Sequence, residues 1–279
     1  MNNLAVAYRN LGDLERAQAL YMRVLSTQRR VLGEEHPDTV RTMGNLGVLY
    51  RNRGCYTDAE SILRKTLEVR KRLLGEDHSD TLVSMHNLAA VYRDAEKYAQ
   101  AEPLFTRTIE SRRRVLGEEN PNTLLSMANL ASLYRNQSRY TEAEQLYARV
   151  FEVRRRVLGP EHLDTTTMAS ALGQIRLAQQ RYAEAETLLR EAWNGQRNKN
   201  PEAWQRFETE SLLGQSLARQ RRFSEAAPLL IAGYQGLRRQ KSAIPWDGRH
   251  AVEQAAERLT QFYRSLGRPR SRSATPPEQ

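Results

Sequence analysis

Apolar and polar positions along this chain follow helical spacing, and the whole pattern returns every 42 residues. Asn3-Leu4, Asn45-Leu46, Asn87-Leu88 and Asn129-Leu130 stand in register, followed by Tyr8, Tyr50, Tyr92 and Tyr134, each with an arginine directly after it. Leu14, Tyr56, Tyr98, Tyr140 and Tyr182 come next, then Ala17, Ala59, Ala101, Ala143 and Ala185. Gly33, Gly75, Gly117 and Gly159 close the period, and a polar loop follows each, as in Glu34-Glu35-His36-Pro37-Asp38-Thr39. Self-similarity at such a period marks a repeat architecture.

Each copy predicts two helices. In the second copy the first helix spans about Pro37 to Arg53. Pro37 suits the first helical position, where its missing N–H is not needed. Val40, Leu46, Gly47 and Tyr50 share one face. Gly54 ends that helix, and Thr57 or Asp58 is expected to cap the second, which runs to about Leu74. On it Ala59, Ile62, Leu63 and Leu67 form an apolar stripe, and Arg70-Lys71-Arg72 suits the negative end of the helix dipole. A lone hairpin cannot bury its apolar face, whereas stacked neighbours can. Ala59 and its equivalents are expected where two helices cross, since a larger side chain would push them apart. Tyr50 and its equivalents are expected to fill the gap between hairpins.

The pattern weakens after residue 168 but continues. Leu172-Gly173-Gln174 and Arg181-Tyr182 mark a fifth copy, Leu213-Gly214-Gln215 and Arg222-Phe223 a sixth, and Leu259, Tyr263 and Gly267 a seventh first helix. The expected organisation is one solenoid over 1–268, regular over 1–168 and divergent over 169–268. An irregular loop is expected over Ile244-Pro245-Trp246-Asp247-Gly248, and a disordered basic, proline-rich tail over 269–279. Met1 aligns with Met43, Met85 and Met127, inside first helices. The chain is therefore expected to be a fragment, or a mis-started reading frame, of a longer protein.

Composition narrows the class. No apolar run approaches the roughly 20 residues that span a bilayer, and no signal peptide is visible. The single Cys55 forms no internal disulfide, so a reducing cytoplasm is the expected compartment. The net charge of +10 points to acidic partners. Almost all of that excess is arginine, which coding bias also produces.

Together Asn-Leu-Ala/Gly-x-x-Tyr, Tyr-x-x-Ala-Glu and the turn Val-Leu-Gly-Glu-Glu-His-Pro-Asp-Thr resemble the tetratricopeptide repeat, in the long 42-residue form of the kinesin light chain. Four copies over 1–168 carry the resemblance. It implies an all-α, right-handed superhelical solenoid of antiparallel helix pairs. Such arrays are also common in bacterial proteins, alone or attached to serine/threonine kinase domains. The coiled coil that joins a kinesin light chain to its motor is absent from this chain, so a motor role does not follow.

The resemblance further implies that first helices line a concave groove for extended peptides. At 100° per residue Asn3, Arg9 and Asn10 fall opposite the core-facing Leu4, Ala5 and Tyr8. The same arc carries Asn45, Arg51 and Asn52, then Asn87, Arg93 and Asp94, then Asn129, Arg135 and Asn136. An asparagine amide both donates to and accepts from a peptide backbone, and an arginine ladder pairs with acidic side chains. These residues are the candidate peptide-binding groove. Arginines near helix ends also stabilise the dipole whatever binds.

Little else in the sequence carries chemistry. His36, His78 and His162 are loop equivalents, and Asn120 takes the remaining place, so no metal or catalytic role is expected there. No cysteine pair has zinc spacing, and no phosphate-binding or kinase motif is present. Glu184 and Glu186 are expected on a solvated face. Trp193, Trp204 and Trp246 are expected to cover the end of the core. The runs at 29–30, 112–114 and 154–156 recur with the repeat and are followed by glutamates, which argues against a nucleic-acid site. The expected function is a non-catalytic protein-interaction scaffold, without cofactor or metal, that binds an acidic peptide. The alternative is the interaction arm of a larger signalling kinase; nucleic-acid binding is a distant third.

Overall fold

A computed structural model of the chain describes residues 1–241, 244, 248 and 250–267. The expected loop residues Pro245, Trp246 and Asp247 and the tail over 269–279 lie outside the described residues. Among these, thirteen α-helices form and no strand. They fall into two compact units, Met1–Leu146 and a second that begins at Tyr147.

The first unit holds α1 (Asn2–Asn10), α2 (Leu14–Val31), α3 (Pro37–Asn52), α4 (Tyr56–Leu74), α5 (Ser79–Asp94), α6 (Tyr98–Leu116) and α7 (Pro121–Asn136). Helix α8 (Tyr140–Leu158) runs through the divide. The second unit holds α9 (Leu163–Ala178), α10 (Tyr182–Lys199), α11 (Trp204–Arg219), α12 (Phe223–Arg239) and α13 (His250–Ser265). Odd-numbered helices are the first of each pair and even-numbered ones the second. Within each unit every helix packs on the next in sequence.

The loop histidines are helix caps. Nδ1 of His36, His78 and His162 accepts the backbone N–H of Asp38, Asp80 and Asp164, each at 3.2 Å. Asn120 does the same with Oδ1 for Asn122, at 2.9 Å. Any side chain with a short acceptor serves there, which explains why asparagine replaces histidine. Gly33, Gly75, Gly117 and Gly159 just before them have φ near +88 or +89°, open to glycine without strain.

The second helices start differently from expectation. Thr57 and Asp58 lie inside the first turn of α4, and Cys55 holds the cap position with no side-chain bond. The cause is the tight preceding turn: Gly54 has φ +76°, and Cys55 N–H bonds back to the Tyr50 carbonyl at 2.9 Å, so the helix begins at once. At the equivalent place before α2, Asp13 does cap, accepting from the Arg16 N–H at 3.1 Å.

Ala17, Ala59, Ala101, Ala143, Ala185 and Ala226 are fully buried, as their small size demands at a helix crossing. The repeat tyrosines act between hairpins as expected, and through their hydroxyls as well. Tyr92 donates to Glu60 (3.2 Å) and Tyr134 to Glu102 (3.0 Å). Lys97 and Arg139 reach the same carboxylates at 2.7 Å, and these bonds hold both glutamates below the usual carboxylate range. The glutamate of Tyr-x-x-Ala-Glu therefore ties one pair to the next. Glu186, expected in solvent, is buried for that reason: it accepts from Gln220 (2.9 Å) and Arg222 (2.7 Å).

Leu4, expected to face the core, is 51% exposed, whereas its equivalents Leu46, Leu88, Leu130 and Leu172 are buried. Leu46 and Leu88 lie on α3 and α5, each packed by helices on both sides, whereas α1 packs on α2 and α3 alone among the helices of its unit with more than marginal contact. Trp193 and Trp204 are half-buried against apolar clusters of the second unit, around Leu213 and Phe207 respectively.

Candidate functional site

Beyond the first turn of α3 the residues left partly or fully open are Arg41, Gly44, Asn45, Val48, Tyr50, Arg51 and Asn52; all but Tyr50, which packs against the cluster around Met43, fall on a single stripe at helical spacing. The candidate residues of the first unit fall on this stripe and on its counterparts in α1, α5 and α7. Asn3, Asn10 and Asn136 are exposed; Arg9, Asn45, Arg51, Asn52, Asn87, Asn129 and Arg135 are half-buried; Arg93 is buried.

These residues are not equivalent in what they touch. Among the described residues, the side chains of Asn45 and Asn87 make no hydrogen bond to another side chain. Asn129 is engaged: its Nδ2 donates to the Leu125 carbonyl (3.0 Å), lies 3.5 Å from His86 Nε2, and its Oδ1 accepts from Arg93 Nη1. Arg51 Nε donates to Asp94 Oδ2 at 2.5 Å. Arg93 donates to Asp94 Oδ1 through Nε (2.9 Å) and Nη2 (2.7 Å). Arg9 meets Asn10 (3.3 Å), and Arg135 meets Ser132 (3.4 Å). Replacing Arg51 and Arg93 together would leave Asp94, 9% exposed, without its counter-ions.

Beneath this face lies a polar layer that sequence reasoning missed. His86 is buried, with Nδ1 3.1 Å from Ser126 Oγ and its ring edge-on to Phe105. Burial, then the cations Arg112, Arg51 and Arg93, pushes its pKa down to about 3. Arg112 donates to the Asn122 carbonyl (2.7 Å) and to Ser126 Oγ (2.6 Å). Arg70 repeats this one copy earlier, on Asp80 O (2.8 Å) and Ser84 Oγ (2.9 Å), and Arg154 bonds Asp164 O at 3.3 Å. Arg70, Arg112 and Arg154, one register apart, thus anchor the next first helix by its N-terminal turn, whereas the first copy has Gln28 at that register. Their recurrence every 42 residues was the available signal.

The structure offers little for other chemistry. Among the described residues no three potential metal ligands cluster, and no helix is long and apolar enough to cross a membrane. An open cleft of about 840 Å³ lies along α6, lined by Asp77, Glu102, Pro103, Arg107 and Arg114 among others. Its cations are engaged: Arg107 with Glu76 and Arg114 with Asp77.

The sequence profile of the tetratricopeptide repeat matches residues 1–54, 45–114, 86–138 and 123–198, together well over half of the chain. No curated protein sequence matches it. Solved structures do. Kinesin light chain TPR-like repeats of Podospora anserina align with TM-score 0.63 at 23% identity, over 74% of this chain and 98% of theirs. BtubC from P. vanneervenii aligns with TM-score 0.66 at 17% identity, over 95% and 98%. A Rap protein complexed with competence and sporulation factor aligns with TM-score 0.64 at 10% identity, over 94% and 74%. Identities this low carry the fold alone. They agree with the all-α helix-pair architecture and with the kinesin light chain-like repeat read from the sequence. The chain belongs to the tetratricopeptide repeat family.

Proposed function

We propose that this chain is a non-catalytic scaffold that holds an extended peptide segment of a protein partner across the open stripes of α1, α3, α5 and α7. The observation that carries this is the pair Asn45 and Asn87. They stand at one register on neighbouring first helices, half-open, their amides uncommitted to other side chains among the described residues. An amide that bonds nothing in the fold contributes little to stability, yet it supplies both a donor and an acceptor for a backbone whose sequence it does not read. The resemblance to repeats that bind peptides on their first helices supports the same face, and the Rap protein above is a relative in fold complexed with a factor.

Charge favours an acidic segment. Arg9, Arg51, Arg93 and Arg135 stand on the candidate face against one carboxylate, Asp94. Such an excess raises the local concentration of acidic peptides and speeds their association. The test is selection from a displayed library of random dodecapeptides, followed by titration of a selected peptide against the protein and against Asn45→Ala/Asn87→Ala. The expected result is enrichment of acidic sequences and a loss of about tenfold in affinity for the double variant, near 1.4 kcal/mol for two backbone hydrogen bonds. A selected peptide that binds both proteins alike places the site elsewhere.

A further inference from the structure

The last position of the first helices reads Asn10, Asn52, Asp94 and Asn136, so one carboxylate interrupts a register of amides. An acid at the final residue of α5 stands at the negative end of the helix dipole, which disfavours it. It is held there by two guanidinium groups. Arg51 reaches Oδ2 from α3, and Arg93 reaches Oδ1 through two nitrogens. Asp94 is nearly closed off from solvent at 9% exposure, and Arg51 at 16%. This is the bonding that a glutamate or aspartate of a bound peptide would make with a pair of arginines.

We propose that Asp94 is a specificity-determining residue: it fills, with the chain's own carboxylate, the place where Arg51 and Arg93 would otherwise take an acidic side chain of the ligand. The proposal rests on the peptide-binding function above and sharpens it. The ligand is uncharged where it crosses from α3 to α5, because a carboxylate there would compete with Asp94 and be repelled by it. An acidic ligand is therefore read by the positions of its charges, and not by their number alone.

The full chain is tested with two labelled probes, (Glu-Ser)5 and (Gln-Ser)5, by fluorescence anisotropy at low salt, with helicity followed by circular dichroism. Asp94→Asn keeps the shape and removes the charge. It is expected to bind (Glu-Ser)5 at least about threefold more tightly than wild type, the scale of one partly screened ion pair, with (Gln-Ser)5 unchanged. Asn52→Asp transplants the device: Arg9 and Arg51 precede residue 52 by the same intervals at which Arg51 and Arg93 precede Asp94. It is expected to weaken (Glu-Ser)5 and spare (Gln-Ser)5. Should Asp94→Asn lose helicity, the Asn52→Asp result decides. If wild type binds and neither substitution changes its preference between the probes, the role of Asp94 is overturned and the peptide-binding face stands. If no protein binds either probe, both are overturned.

Discussion

The arginine runs offer a sharp test of how each repeat is built. Arg112 is 3% exposed, whereas the Arg114 side chain is 67% exposed, although the two stand in one run of three. Arg112→Ala removes two charge-assisted hydrogen bonds, to the Asn122 carbonyl and to Ser126. Each is worth about 1.5–3 kcal/mol. It also removes the packing of the aliphatic stem, about 1 kcal/mol. Against this stands the cost of keeping the guanidinium away from water. Burial lowers its pKa from the ordinary guanidinium range to about 10, and at about 1.4 kcal/mol per pKa unit some 3 kcal/mol is recovered on deletion. The balance is a net destabilisation of about 2 kcal/mol. Arg114→Ala is expected to cost under about 0.5 kcal/mol, since its ion pair with Asp77 is exposed. Urea unfolding of the two variants beside wild type measures both, with the slope checked for change. Equal losses, or a larger loss for Arg114→Ala, would refute the anchoring role of Arg112 and restore the run as a uniform surface feature.

Two further outcomes follow from the polar layer and the turns. His86 titrates at 6.5 when unfolded and near 3 when folded, so below pH 6.5 the unfolded chain takes up a proton that the folded chain refuses. Stability is therefore full above pH 6.5 and falls through the window down to pH 3 by about 1.4 kcal/mol per unit. His86→Gln keeps a polar partner for Ser126 and should lose about 2–3 kcal/mol less than wild type between pH 7 and pH 4.5 in urea titrations; parallel losses would contradict the burial of a neutral ring. At the turn before α6, Glu96 is exposed with φ +58°, where Gly12 and Gly54 stand in the first two copies. Glu96→Gly should relieve that strain and raise stability by about 0.5–1 kcal/mol, the left-handed penalty less the added freedom of the unfolded chain; a fall in the thermal midpoint would show that the turn is unstrained.

The helix pairs were legible in the sequence because their causes are local. Pro37, the positive-φ glycines and a period of 42 residues mark each boundary, and the buried alanines follow from the repeat itself. Leu4 misled because the same leucine is buried or exposed according to whether a hairpin packs behind it. Glu186 misled because a charged residue reads as surface, and nothing local marks Arg112 as buried; each meets a partner that lies 34 residues or 10 residues along the chain. A recurring charge at one repeat register is the sign of such an anchor. The candidate face was legible as a stripe, since helical spacing alone separates Asn45 and Arg51 from the core. Its division into uncommitted amides and paired arginines was not, because the Arg51–Asp94 pair joins α3 to α5 and depends on how the hairpins stack.

The central claim is that Asn45 and Asn87 meet the backbone of a bound peptide. The most direct measurement follows their side-chain amide resonances in the isotope-labelled protein, assigned by Asn45→Ala and Asn87→Ala, while a library-selected acidic peptide is added. The account predicts that both pairs of NH2 signals shift together and saturate at the same peptide concentration. Saturable binding that leaves both amides unmoved would contradict it.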